Sequence, residues 1–302
     1  MRSAALLSIS LLVGAAGGDW EQRAPLPTPR SEVAAVVLGG EAVVVGGFLA
    51  TGDSSSEVDA YSPAEDRWRR LPDLPIAVNH VMAAAASGKL YVVGGYGGGF
   101  RTKLRFAFVL ENGRWSALPR LPAPRAAGGA AIVGGRLYVV GGVGPSGLAR
   151  QAFALDLGTR RWTAVPGPTP REHLAVTAVR SRVYALAGRK AGIDTNLAVF
   201  EVYDPKARRW RTLPPVPDSR GGTAAASARG LIVSAGGEAP GGTTASVYGF
   251  DLDRRLWRRL PDLPTPRHGL GLAALGGRIY ALAGGTEPGL SVSDANESLP
   301  VP

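Results

Sequence analysis

The sequence predicts an all-β fold: six four-stranded antiparallel sheets set around an axis as the blades of a propeller. Two observations predict it. The six tryptophans, Trp20, Trp68, Trp115, Trp162, Trp210 and Trp257, follow one another at spacings of 48, 47, 47, 48 and 47 residues. A fixed period of this size marks a repeated supersecondary unit. Within each period lie four runs of strand length, rich in Val, Tyr, Leu and Ala, and the chain's 42 glycines and 24 prolines supply the turns between them. A lone four-stranded sheet cannot bury both faces, so neighbouring sheets must stack.

Taken in order, the units begin near Arg30, Val78, Arg125, Arg171, Arg220 and Arg267. In the third, strands are expected over 125–133, 136–141, 150–156 and 161–165, with the tryptophan on the outermost. First-to-second turns are tight, as in Gly39-Gly40 and Gly134-Gly135. Second-to-third loops are long: FLATGDSSS, YGGGFRTK, VGPSGLAR, RKAGIDTN and EAPGGTT. An up-and-down blade puts these long loops and the blade-to-blade crossings on one face, where function is expected. Glycine pairs such as Gly141-Gly142 allow positive φ and close backbone approach at the inner end of each blade. Trp20 stands alone at one end, while the last unit stops after GLSVSDANES without a tryptophan. The strand around 19–24 should therefore pair with the C-terminal blade and close the ring.

Residues 1–17 differ in kind. Arg2 precedes AALLSISLLVGAA, which ends in the small residues Ala15 and Ala16 before Gly17, the charged, apolar and small-residue order of a secretory signal peptide. The apolar run is shorter than the ~20 residues of a membrane span. The expectation is a single domain over 18–302, secreted or periplasmic, without a membrane anchor once the leader is cleaved. The chain has no cysteine, which excludes disulfides, thiolate metal sites and a cysteine nucleophile. The net charge is +10, with 30 arginines among 34 basic residues, and 14 of those arginines lie within three positions of a tryptophan. On outer strands such charges guard open edges, so no nucleic-acid partner is expected.

RLYVVGG at 136–142, VVVGG at 43–47, LYVVGG at 90–95, EVYDP at 201–205 and the spaced tryptophans resemble Kelch repeats, over essentially 19–302. Within that family the chain is most similar to exported bacterial six-unit Kelch proteins, loosely termed galactose-oxidase-like. Gly-Gly becomes Ala187-Gly188 in the fourth unit, Phe250 stands where Tyr61 and Tyr203 stand in theirs, and the second unit has Val78 in place of arginine. The copper chemistry of galactose oxidases needs a tyrosine cross-linked to cysteine and cannot be built here. Bacterial sialic-acid epimerases, also six-bladed Kelch proteins, imply an alternative sugar-acid mutarotase using a carboxylate and an arginine at the channel mouth.

The residues themselves point to a non-catalytic binding module, acting as a monomer on an extracellular or periplasmic glycan, acidic small molecule or protein. Arg30, Arg125, Arg171, Arg220 and Arg267 occupy one slot in five units, and His80, His173 and His268 follow it closely. A ring of guanidinium groups suits carboxylates and sulfates; the same arginines could instead fasten each crossing through backbone carbonyls. Glu32, Glu172 and Glu238, with Arg171, are the weak catalytic candidates of the mutarotase reading. Arg101, Lys103, Arg189 and Lys190 add loop charge. Alternate blades should hold the three histidines apart, so no metal and no cofactor is expected. Glu172 and His173, as strand neighbours, should point to opposite sides. G-x-S-x-G, H-E-x-x-H and phosphate-loop patterns are absent from the sequence.

Intact mass of protein from an exporting host should place the mature N-terminus between Gly17 and Asp19. Retention of residues 1–16 would rule out the leader.

Overall fold

The structure, a computed structural model, describes residues 18–302; the signal peptide read at 1–17 lies outside the described residues. Six four-stranded antiparallel sheets form the ring. The first blade comprises Ala34–Leu38, Glu41–Val45, Val58–Ser62 and Arg67–Arg70, paired in chain order. Four further blades repeat this order. In the last, Gly271–Leu275, Arg278–Leu282 and Asn296–Pro300 take Glu21–Gln22 as their outer strand, with Glu21 opposite Ser298 and Gln22 opposite Glu297. The expected closure is therefore present, over a shorter strand than expected. Two-stranded ribbons stiffen the long loops of the second, third and fifth blades. Among the described residues no helix is long and apolar enough to cross a membrane.

The stacked sheet faces bury apolar side chains between blades. Val43, Val45, Val58 and Ala60 of the first blade, for example, pack against Val81, Leu90, Val92 and Leu110 of the second. Outer strands such as Arg67–Arg70 expose their arginines and half-bury their tryptophan. The tryptophans bind rather than merely fill. Each indole N–H donates to a carbonyl of the preceding blade: Trp68 to Ala24, Trp115 to Pro72, Trp162 to Pro119, Trp210 to Pro166 and Trp257 to Pro214, at 2.7–2.9 Å. Trp20, beside the outer strand of the last blade, completes the circuit by donating to Pro261, which follows the outer strand of the fifth, at 2.9 Å.

A second circuit runs near the axis. The second residue of each glycine pair donates its N–H to the carbonyl of the arginine slot in the next blade: Gly47 to Val78, Gly95 to Arg125, Gly142 to Arg171, Gly188 to Arg220, Gly237 to Arg267 and Gly284 to Arg30, all at 2.8–2.9 Å. Both members of these pairs adopt positive φ, as do Ala187 and Ala283 where alanine replaces the first glycine. The second glycine has no such latitude, because a Cβ on Gly142 would collide with the Ala126 carbonyl.

The innermost strand of the third blade begins at Gly129 rather than 125. Residues 125–128 form the crossing instead, and Ala127 sits at φ 53°, which no strand accommodates.

Gly142→Ala should be more destabilising than Gly134→Ala. Both place a side chain at positive φ (80° and 56°), but only at Gly142 would the Cβ meet backbone. Left-handed strain costs ~1–2 kcal/mol at either site, and overpacking adds ~1–3 kcal/mol at Gly142 alone. Denaturant unfolding of the two variants measures the difference.

Candidate functional site

The crossings place three residues from every blade around the loop-rich mouth. The residue after the arginine slot is Ser31, Asn79, Ala126, Glu172, Gly221 or His268. Each pairs as an isolated bridge with the residue following the second glycine: Phe48, Tyr96, Val143, Arg189, Glu238 or Gly285. The next residue along is Glu32, His80, Ala127, His173, Gly222 or Gly269, and all six have φ between 49° and 65°. Their backbones form a third circuit: His80 N–H to Glu32 O, Ala127 to His80, His173 to Ala127, Gly222 to His173 and Gly269 to Gly222, at 2.8–3.2 Å. Val33 N–H to Gly269 O closes it at 3.2 Å. The side chains of this circuit line a cavity of about 70 Å³ at the neck of the channel.

The five arginines do not line that cavity. Arg30, Arg171, Arg220 and Arg267 are 0% exposed and Arg125 is 4% exposed. Each guanidinium turns into its own blade and donates to the carbonyl of the first residue of the glycine pair: Gly46, Gly141, Ala187, Gly236 and Ala283, at 2.6–3.1 Å. Carboxylates complete four of them, Asp59 on Arg30, Glu201 on Arg171 at 2.6 Å, Asp218 on Arg220 at 2.7 Å and Glu297 on Arg267 at 2.5 Å. Arg125 has no such partner; its guanidinium lies 4.8 Å from the Phe153 ring, and burial pushes it down to about 10. This is the fastening geometry, and it leaves no guanidinium of the slot facing the axis.

Two of the histidines, His80 and His173, do converge, contrary to the expectation that alternate blades separate them. His80 Nε2 and His173 Nε2 are 2.9 Å apart, because the neck is narrow and Ala127 between them carries only a methyl. Glu32 Oε2 lies 3.2 Å from His80 Nε2 and 3.9 Å from His173 Nε2. His268 Nδ1 reaches Glu32 Oε1 at 3.1 Å, and its Nε2 faces the Glu287 carbonyl at 3.0 Å. Both ring nitrogens of His268 thus meet acceptors, the pattern of an imidazolium. Glu172 and His173 also approach each other, with Oε1 to Nδ1 at 3.4 Å; His173 at φ 50° is out of strand conformation, so strand alternation does not apply.

Arg189, noted in the sequence only as a loop charge, ties the cluster together. It donates to His173 Nε2 at 3.0 Å, to Glu172 Oε1 at 3.3 Å and to Glu238 Oε1. Asn79 is a further residue the sequence did not single out: its Oδ1 lies 2.7 Å from His80 Nδ1. Arg101 stands exposed on the second-blade loop and Lys190 on the fourth, Lys103 being partly buried.

Burial pushes the His80 imidazole down to about 4 despite Glu32 beside it. Burial also lowers His268, but its bond to Glu32 and the charges of Glu32 and Glu238 raise it, for a net shift upward from the ordinary imidazole value. The Glu32 carboxyl is penalised by burial, yet the facing imidazoles hold it well below the ordinary carboxylate range. The neck therefore sets an ionised Glu32 between a neutral His80 and a His268 whose two ring nitrogens both face acceptors. Aromatic side chains wall its other half, Phe48, Tyr96 and Phe100 having ring centroids 5.3–5.6 Å from that of His80. Phe100 (64% exposed) and Leu290 (57% exposed) stand above it on the rim.

The model of the KLHDC2/KLHL20/DRC7 Kelch-repeats domain matches residues 18–167 and, overlapping them, 79–285. The chain belongs to the Kelch-repeat family. Among related Kelch proteins, Kelch-like protein terF of Aspergillus terreus is 28% identical over 238 residues, 76% of this chain and 43% of its own length. Human Kelch repeat and BTB domain-containing protein 12 is 31% identical over 105 residues, 31% of this chain and 17% of its own length. Human Kelch-like protein 33 is 39% identical over 80 residues, 26% and 15% of the two chains. The chain spans less than half the length of these curated relatives.

Arg171→Ala should cost ~3–5 kcal/mol, the penalty of leaving a buried charge partner uncompensated, because Glu201 is only 7% exposed. Arg125→Ala, which strands no carboxylate, should cost less. Equal losses in thermal or denaturant unfolding would show that the carbonyl bonds alone hold the crossing.

Proposed function

We propose that this Kelch propeller is a non-catalytic binding module that takes a protein partner at its loop-rich mouth, after export. One observation carries the reading: the mouth is half aromatic and half charged, with Phe100 and Leu290 exposed above a polar floor. Large apolar side chains presented over buried polar groups are the anchors of protein interfaces. Kelch propellers commonly serve as protein-interaction modules, which supports a protein over a glycan. The three candidate carboxylates already have internal partners, Glu32 in His268 and both Glu172 and Glu238 in Arg189. No observation favours the mutarotase alternative.

Selection of displayed peptides on the immobilised protein, beside a glycan array, tests this. Enriched peptides should lose affinity by about 30-fold with Phe100→Ala, the size of an interface hot spot. They should bind Leu256→Ala unchanged, since Leu256 is equally exposed (60%) but lies on an outer strand. Glycan binding without peptide binding, or indifference to Phe100→Ala, would overturn the proposal.

A further inference from the structure

We propose that Glu32, His80 and His173 form a site for one divalent transition-metal ion, zinc by ligand preference, at the neck of the ring. It does not depend on what the mouth binds. His80 Nε2, His173 Nε2 and Glu32 Oε2 are 2.9, 3.2 and 3.9 Å apart, so the point equidistant from all three lies about 2.0 Å from each. Bonds from zinc to histidine nitrogen and carboxylate oxygen are ~2.0–2.2 Å. A tetrahedral ion needs donor separations near ~3.3 Å, so the His173–Glu32 gap closes and the two histidine nitrogens part by about half an ångström on binding.

Their protonation follows from their neighbours. Asn79 donates through Nδ2 to Ser54 Oγ at 2.8 Å and to the Gly99 carbonyl at 2.9 Å. Its Oδ1 is therefore the atom facing His80 Nδ1, which must carry the proton and leave the Nε2 lone pair on the axis. Arginine can only donate, so His173 Nε2, 3.0 Å from Arg189 Nη2, is also an unprotonated acceptor. Three lone pairs thus converge, with one N–H of Arg189 directed at them. A cation on the axis satisfies all three at once.

Two of the ligands also have the outer hydrogen-bond partner that metal sites use for orientation, and the third has a carboxylate beside it. Asn79 Oδ1 holds His80, Glu172 Oε1 lies 3.4 Å from His173 Nδ1, and His268 Nδ1 holds Glu32 Oε1 at 3.1 Å. Two histidines and one glutamate around an open position are a zinc-type ligand set. The cavity over the ligands gives the ion entry and leaves the fourth position to solvent or to a group from a partner. Arg189 keeps its bonds to Glu172 and Glu238 when the ion replaces its contact with His173.

The test is titration of the whole tag-free protein, stripped with chelator, using Zn²⁺ by calorimetry and Co²⁺ by visible absorption. One ion per chain should bind at micromolar metal, with the intense d–d bands of low-coordinate cobalt. His173→Ala and His80→Ala should each weaken binding about 100-fold or more and bleach those bands, while Asn79→Ala should weaken it ~10–100-fold. The alanine variants have a precedent in the fold, since Ala127 holds the same slot at φ 53°; circular dichroism checks each. Arg189→Leu, which removes a competing cation, should tighten binding. Absence of saturable binding, or binding indifferent to His173→Ala in folded protein, would overturn the site.

Discussion

Everything in this ring depends on how one blade is seamed to the next at the arginine slot. The slot residue's carbonyl accepts the N–H of the preceding blade's second glycine, and where the slot is arginine its side chain grips the first residue of that pair in its own blade. One residue therefore addresses two blades, its backbone facing one and its side chain the other. A glycine with positive φ is needed at the second position because its own blade's crossing comes too close for a Cβ. Guanidinium groups are suited to the grip because they offer several donors in a fixed plane, enough for two carbonyls and a carboxylate at once. Burial of such a cation is costly by itself. Four blades offset the cost with an acid, while the third and fifth set an aromatic ring against the guanidinium, Phe153 and Tyr248.

Because the seam is made by backbone and by the arginine slot, the residues just beyond it are released from structural duty. Their side chains point into the mouth, and their chemistry is set by which blade they occupy. Charged groups gather on the fourth and fifth blades through Glu172, Arg189 and Glu238. Aromatic groups gather on the first and second through Phe48, Tyr96 and Phe100. Histidine and glutamate meet between them, at the neck.

The ring and its closure were legible because burial of a repeated sheet leaves a repeated pattern, and the tryptophan period carried it. The arginine slot was legible as a repeat, but not the direction of its side chains. That direction is set by carbonyls sixteen residues further on and by Asp59, Glu201, Asp218 and Glu297, whose spacing varies from blade to blade. The mouth was harder still. His268 follows its arginine by one residue and His173 by two, and this single step decides which of them joins His80 on the axis. Their separation depends on the diameter of the neck and on the small Ala127, quantities that periodicity does not contain. Glu172 and His173 were placed on opposite sides by a strand rule that a left-handed residue suspends.

The indole circuit gives the molecule no weak end. In an open stack of repeats the terminal unit touches one neighbour and can peel away first. Here every blade is clasped on both sides, including the seam where Trp20 reaches Pro261. A protease that nicks a surface loop such as the one bearing Phe100 would cut the chain without freeing a fragment. Both pieces would stay threaded into neighbouring sheets, and the ring would outlast the break in its backbone.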